Sequence, residues 1–226
     1  MIDDIFEQLS QRGSIAETAE NFRIREVADE LLRRSQLHEA QFRGSKEDVN
    51  AFEIEQRITE QYAKENDLWL SFDDISRLGV PGPSGNENDL YVSDDIVFKV
   101  NNLLNCGSIL RFLDRLMWHN DLFYDTAYTL HGFAGFGGRS VLPVIRQRLI
   151  KNAKPATQIE IDTYMAAIGF ERTDTRGSFE NSQYVVWDLL SRNVLKDAEG
   201  DIYIVDAEIS RKEIKIKRNK ESLDLQ

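Results

Sequence analysis

Three oxygen-bearing side chains, Asp188, Asn193 and Asp206, are grouped around a strand–turn–strand unit, and this grouping constrains the chain more than any other feature. Asn193 opens the apolar run 193–195, a polar turn follows at 197–201, and Asp206 closes the second apolar run, 202–205. Asp and Asn are common in turns because their side chains hydrogen-bond nearby backbone, so the simplest reading is a surface turn between two strands. The flanking strands support a stronger reading. Two carboxylates and an amide oxygen suit a hard cation such as Mg²⁺, which prefers oxygen ligands.

Upstream, Gly82, Pro83, Ser84, Gly85, Asn86, Glu87, Asn88 and Asp89 make a turn-rich loop. The run 90–93, the two-residue turn Asp94 and Asp95, and the run 96–100 then read as a β-hairpin. Lys99 lies inside the second apolar run. A lysine there costs free energy unless its ammonium reaches water or an anion. An edge-strand lysine that discourages aggregation is the plain alternative. The order of loop, hairpin, lysine, helix, strands and then the Asp–Asn–Asp group favours a shared site.

With these motifs in place, the chain resembles the protein kinase and aminoglycoside phosphotransferase superfamily. More narrowly, it resembles the kinase domains of polyvalent proteins carried by phages and conjugative elements. The resemblance covers roughly 68–209 and is tightest over 186–207. It implies an α+β fold: a reduced bilobal kinase-like domain with an antiparallel N-lobe sheet, a truncated C-lobe and an N-terminal helical extension. The implied boundaries are 1–66 for the extension, 67–150 for the N-lobe and 151–226 for the reduced C-lobe. The implied cofactors are ATP and Mg²⁺, and the implied activity is phosphoryl transfer to a protein or small-molecule hydroxyl. Asp188 takes the role of catalytic base and Lys99 that of the phosphate lysine. Asn193 and Asp206 become the Mg²⁺ ligands, and Gly85 and Glu87 belong to the nucleotide-binding loop.

The sequence also departs from that pattern. Trp187 precedes Asp188, Ala207 and Glu208 follow Asp206, and the loop lacks the full run of glycines. About twenty residues follow Asp206, so the expectation is a C-lobe without the usual activation segment. Protein kinases pair the lysine with a helix glutamate. The helix expected after Ser108 contains only Asp114 as an acid, and Glu87 is the rival partner. A catalytically inactive binding module acting through the helical N-terminus is therefore the alternative function.

The remaining chain fills in this scheme. Leu110, Leu113, Leu116 and Met117 share one face of the helix capped by Ser108. Runs 128–133 and 140–145 read as two more strands of a five-stranded sheet, with Pro143 favouring an edge position. Residues 147–150 then form a hinge, 158–168 a helix capped by Thr157, and 177–183 a polar loop. In the first 65 residues, apolar spacing at Ile5, Phe6 and Leu9, at Val27, Leu31 and Leu32, and at Phe52, Ile54 and Ile58 suggests three helices. Gly13, Gly44 and Ser45 separate them.

A net charge of −11 argues against a general nucleic-acid binder, because a polyanion is repelled. The exception is the basic run 211–220. Cys106 is the only cysteine, which points to a reducing cytoplasm. No apolar stretch approaches a membrane span, and the N-terminus lacks a basic signal-peptide start. The expected partners are a nucleotide and a hydroxyl-bearing substrate. Together these readings require Lys99, Asp188, Asn193 and Asp206 to converge on one cleft. Lys99 on the sheet face opposite Asp206 rules that out.

Overall fold

The computed structural model describes residues 19–42, 50–135 and 140–212 as a mixed α/β protein. Ile5, Phe6, Leu9, Gly13, Gly44 and Ser45, and the basic run beyond 212, lie outside the described residues. Helix α1 (Ala19–Phe42) buries Ile24, Val27, Ala28 and Leu31, whose spacing matches one helical face. Leu32, expected on the same stripe, is exposed instead. Helix α2 (Ala51–Glu65) follows, with Asn50 as its N-cap. Among the described residues no helix is long and apolar enough to cross a membrane.

Strands β1 (Trp69–Leu70), β2 (Val80–Pro81), β3 (Asn88–Ser93), β4 (Ile96–Asn101), β5 (Thr129–Ala134) and β6 (Leu142–Arg148) form one sheet in the order β1-β5-β6-β4-β3-β2. The short helix α3 (Phe72–Ser76) lies between β1 and β2. The hairpin of β3 and β4 turns through Asp94, which takes a left-handed φ of 52°. The sheet has six strands rather than five, because β1 adds in parallel to β5. Gly132 permits that approach. A Cβ there would sit 2.4 Å from the Leu68 carbonyl oxygen, which accepts the Phe133 amide at 2.8 Å.

Pro143 corrects the edge-strand expectation, since β6 lies between β5 and β4. The ladder to β4 ends at Val144, so Pro143 pairs only with Phe133 of β5 and the missing N–H breaks no bond to β4. The sheet also runs through Arg148, so half of the expected hinge is strand.

Helix α4 (Ile109–Leu122) packs α1 and α2 against one face of this sheet. Ser108 caps it as expected, but the stronger cap comes from α2. The buried Glu55 carboxylate accepts hydrogen bonds from Ser108 Oγ (2.8 Å), Ile109 N (3.0 Å) and Leu110 N (3.1 Å). Two of the free backbone donors at the helix start are thereby satisfied, and the negative charge meets the positive end of the helix dipole. The other sheet face, with Phe98, Val100, Ala134 and Val144, packs on Ile75 and Leu78 around α3.

A 3₁₀ turn (Tyr124–Thr126) separates α4 from β5. The second half of the chain carries helix α5 (Gln158–Ala167), capped by Thr157 and Glu160, and seven short strands. These are β7 (Lys154–Pro155), β8 (Glu171–Arg172), β9 (Phe179–Glu180), β10 (Tyr184–Trp187), β11 (Val194–Lys196), β12 (Ile202–Ile204) and β13 (Glu208–Arg211). They form two small sheets, β13-β10-β9-β8 and β12-β11-β7. Strand β9 falls within the stretch expected to be a polar loop, because Phe179 is buried in this half's core. Among the described residues this half holds one helix, and its strands outweigh that helix.

The Glu55 cap yields a stability prediction. Glu55→Ala removes one carboxylate that serves three donors, and hydrogen bonds to charged groups contribute about 1.5–3 kcal/mol. Urea unfolding of this variant should show a loss in that range, with a smaller loss for Glu55→Gln, which keeps one acceptor. A loss below about 0.5 kcal/mol for Glu55→Ala would show that solvent serves the α4 terminus equally well.

Candidate functional site

Alternation along β4 places Phe98 and Val100 against α3, and Val97 and Lys99 on the opposite face. That face lines a cleft of about 480 Å³. Its wall includes Gly85, Glu87 and Lys99 from the first half, and Asp188, Asn193, Leu195, Asp206 and Glu208 from the second. Every site residue expected from the sequence thus reaches one cavity.

The three second-half residues are brought together by backbone pairing. Strands β10 and β13 are antiparallel, with Trp187 opposite Glu208. Asp188 therefore leaves the sheet beside the turn that carries Asp206. Asp188 adopts a left-handed φ of 61°, an uncommon conformation that Asp tolerates better than most residues. Behind it, the Leu189 amide donates to the Gly177 carbonyl at 3.0 Å. Gly177 has a φ of 70°, and a Cβ there would lie 2.9 Å from Leu190 Cδ2. A glycine lets that loop pack under the Asp188 turn.

Asn193 locks the arrangement. Its Nδ2 donates to the Asp188 carbonyl oxygen and to Asp188 Oδ2, both at 2.8 Å. Its own carbonyl accepts the amides of Val205 (2.9 Å) and Asp206 (3.4 Å). The amide oxygen of Asn193 and the carboxylate of Asp206 accept no hydrogen bond among the described residues. The other Asp188 oxygen pairs with Arg192, whose side chain is 62% exposed. Exposed pairs contribute about 0–1 kcal/mol, so an incoming hydroxyl can compete for this carboxylate.

Lys99 is 6% exposed, and its ammonium donates to Tyr128 Oη at 3.0 Å and to the Val205 carbonyl at 2.8 Å. Tyr128 Oη in turn donates to the same carbonyl at 2.9 Å. Burial pulls the Lys99 pKa down, but Tyr128 and Asp206 more than offset it, and the net shift is upward. The ammonium stays charged. Neither expected acid partners it. Asp114 faces Arg25, and Glu87 pairs with Arg115 at 3.6 Å. Arg115 also pairs with Glu208, which accepts from Asn105 Nδ2 at 3.0 Å. The helix thus contributes a cation where an acid was expected, and the acids come from the loop and from the segment after Asp206.

The loop itself is braced by the turn before α4. Asn102 Nδ2 donates to the Asn86 carbonyl at 2.8 Å, and the Asn102 amide to the Glu87 carbonyl at 2.9 Å. Gly82 and Gly85 use their own amides inside the loop. The amides of Ser84, Asn86 and Glu87 meet no protein acceptor among the described residues, which leaves them for an anion.

Sequence reasoning missed Tyr128, Arg115, Glu208 and Gln147. The signal for Arg115 was its position on the buried stripe of Phe112, Leu116 and His119. Gln147 lines the cleft, is buried, and donates to the Thr126 carbonyl at 2.6 Å.

The donor set is a fair match for Mg²⁺, which is commonly held by one or two protein oxygens together with substrate phosphates. Among the described residues no group of three His, Cys, Asp or Glu side chains forms a metal cage. Asn193 and Asp206 can supply the protein ligands only if phosphates complete the shell.

His119, buried against this network, has its pKa lowered from 6.5 to about 3 by burial and then by Lys99. Its folded value lies below its unfolded one, so between the two only the unfolded chain binds the proton, and stability falls as pH falls through that window. The loss attributable to His119 from about pH 7.5 to about pH 5.5 is roughly 1.4 kcal/mol. Urea titrations at both pH values should show a shallower loss for His119→Gln than for wild type. Half-buried His131, also shifted down by burial, leaves a residual slope. Equal slopes would place the proton uptake elsewhere.

Comparison with known proteins adds one finding. A family model described as a serine/threonine/tyrosine kinase found in polyvalent proteins matches residues 52–213. No curated protein matches the chain.

Proposed function

The chain belongs to the serine/threonine/tyrosine kinases found in polyvalent proteins, and we propose that it is an ATP- and Mg²⁺-dependent phosphotransferase acting on a protein or small-molecule hydroxyl. One observation carries this reading. Lys99, Asp188, Asn193 and Asp206 line a single cleft together with a loop in which the amides of Ser84, Asn86 and Glu87 meet no protein acceptor among the described residues. In this reading 67–150 and 151–226 are the two lobes of a reduced bilobal fold, and 1–66 is a helical extension.

Each residue has a role that its surroundings support. Apolar Leu90 and Val97 from the sheet, with Leu195 from the second half, provide walls for a flat base. The Ile150 amide lacks a protein acceptor among the described residues, whereas the Leu149 amide is used by Asp95 at 2.8 Å. Ile150 is therefore the hinge donor available to a purine edge. Lys99 and the amides of Ser84, Asn86 and Glu87 hold phosphate oxygens. Mg²⁺, when held by Asn193 and Asp206, neutralises charge on those phosphates.

Asp188 orients the acceptor hydroxyl and takes its proton. A bond forms from that oxygen to the γ-phosphorus as the bond to the ADP oxygen breaks. The Asn193 side chain keeps Asp188 Oδ2 aimed, and exposed Arg192 yields Oδ1 to the acceptor.

Two variants test this reading. Asp188→Asn nearly conserves volume but removes the base. Radiolabelled ATP assays should show transfer reduced about 10²–10⁴-fold with nucleotide binding retained. Full activity in this variant makes Asp188 a mere turn residue. Adding ATP and Mg²⁺ should raise the wild-type melting temperature, since a ligand at a hundredfold excess over Kd stabilises by about 2.7 kcal/mol. Asp206→Ala should lose the Mg²⁺-dependent part of that gain. Wild-type protein that binds nucleotide yet transfers phosphate to no acceptor, itself and water included, identifies an inactive binding module.

A further inference from the structure

Among the described residues no carboxylate pairs with Lys99, and a phenol and a backbone carbonyl hold it instead. Its two bonds run to Tyr128 Oη and the Val205 carbonyl, and Tyr128 also bonds that carbonyl. The hydroxyl proton of Tyr128 is thereby directed at Val205, which leaves its oxygen lone pairs for the Lys99 ammonium. The position of Tyr128 decides where the ammonium sits.

Tyr128 is in turn fixed by Asn120 of α4. The Tyr128 amide donates to Asn120 Oδ1 at 2.7 Å, and Asn120 Nδ2 donates to the Tyr128 carbonyl at 2.9 Å. The same Nδ2 donates to Asn21 Oδ1 of α1 at 2.9 Å. Asn21 Nδ2 donates to Asp121 Oδ1 at 2.7 Å and to the Met117 carbonyl at 3.3 Å. Asn21 and Asn120 are each 1% exposed. A buried amide that loses its partner is costly, so this chain of bonds holds together or fails together.

Asn21 stands before residue 52, where the family match begins. Helix α1 therefore brings a buried polar side chain from outside the matched segment into contact with the residues that seat the phosphate lysine. We infer that α1 is a working part of the phosphoryl-transfer site: Asn21, through Asn120 and Tyr128, is a positioning residue for Lys99 and replaces the acidic partner that α4 lacks. This rests on Lys99 serving a bound nucleotide, as proposed above. Arg115 of α4 and Asp206 are the other charged groups acting on Lys99.

The test uses the full chain with isotope-labelled lysine and follows hydrogen exchange of the Lys99 ammonium protons by NMR, beside KM for ATP. The exchange signal does not depend on catalysis, so it separates failure of this inference from failure of the kinase reading. Tyr128→Phe should speed Lys99 exchange and raise KM by about tenfold, the equivalent of one lost hydrogen bond. Asn21→Ala should raise both by about threefold, with backbone protection of β4 and β6 unchanged, and add nothing in the Tyr128→Phe background. If Asn21→Ala does not fold, Asn21→Ser, too short to span Asn120 and Asp121 together, should give the same result. Lys99 exchange and KM at wild-type values in the folded Asn21 variant would overturn the inference. So would fully additive effects with Tyr128→Phe.

Discussion

The bond from Lys99 Nζ to the Val205 carbonyl organises this protein, because it ties the large sheet to the backbone one residue before Asp206. With the bonds from Tyr128, Thr126, Asn105 and Arg115 to the second half, it holds the residues of the two halves around one cleft. The bond works because it is buried and shared. Tyr128 donates to the same carbonyl, and Thr126 Oγ1 bonds the Ile204 carbonyl at 2.6 Å just beside it. Three bonds from the first half thus grip two consecutive carbonyls of the second. In a site screened from water each is stronger than at the surface, and breaking one leaves an unpaired polar group.

The electrostatics follow from that grip. A buried lysine usually needs a carboxylate, and this one makes do with a phenol, a carbonyl and the nearby charge of Asp206. The helix that would have supplied the acid supplies Arg115, and Glu87 and Glu208 come to it. The charge pattern is reversed, but the mechanical outcome is alike: the loop, the helix and the segment after Asp206 are joined. Burial raises the Glu208 carboxyl while Arg115 opposes that shift.

How much of this was legible in the sequence depends on the range of each interaction. The Asp94–Asp95 hairpin and the Ser108 and Thr157 caps are local, and residue type at fixed spacing announces them. The order of Lys99, Asp188, Asn193 and Asp206 was readable because each lies at the end or in the middle of a short apolar strand. Asp114 is the acid that the sequence offers as lysine partner, yet it sits one position, about 100° around the helix, from Arg115, which pairs with the cleft residues Glu87 and Glu208. Only the packing of α1, which places Arg25 near Asp114, decides which face turns inward. Glu55, Asn21 and Tyr128 act across long sequence separations, and nothing in their immediate neighbours marks them. The predominance of strands in the second half was also hidden, since strands of two to four residues leave little periodicity to read.

The central claim is that Lys99 holds the phosphates of a nucleotide in this cleft. An acyl-phosphate derivative of ATP, which acylates the lysine lying against its phosphates, tests it directly when the modified residue is identified by mass spectrometry. The account predicts acylation at Lys99, suppressed by excess ATP and dependent on intact Asp206. Acylation confined to other lysines, or acylation of Lys99 that ATP does not suppress, would contradict it.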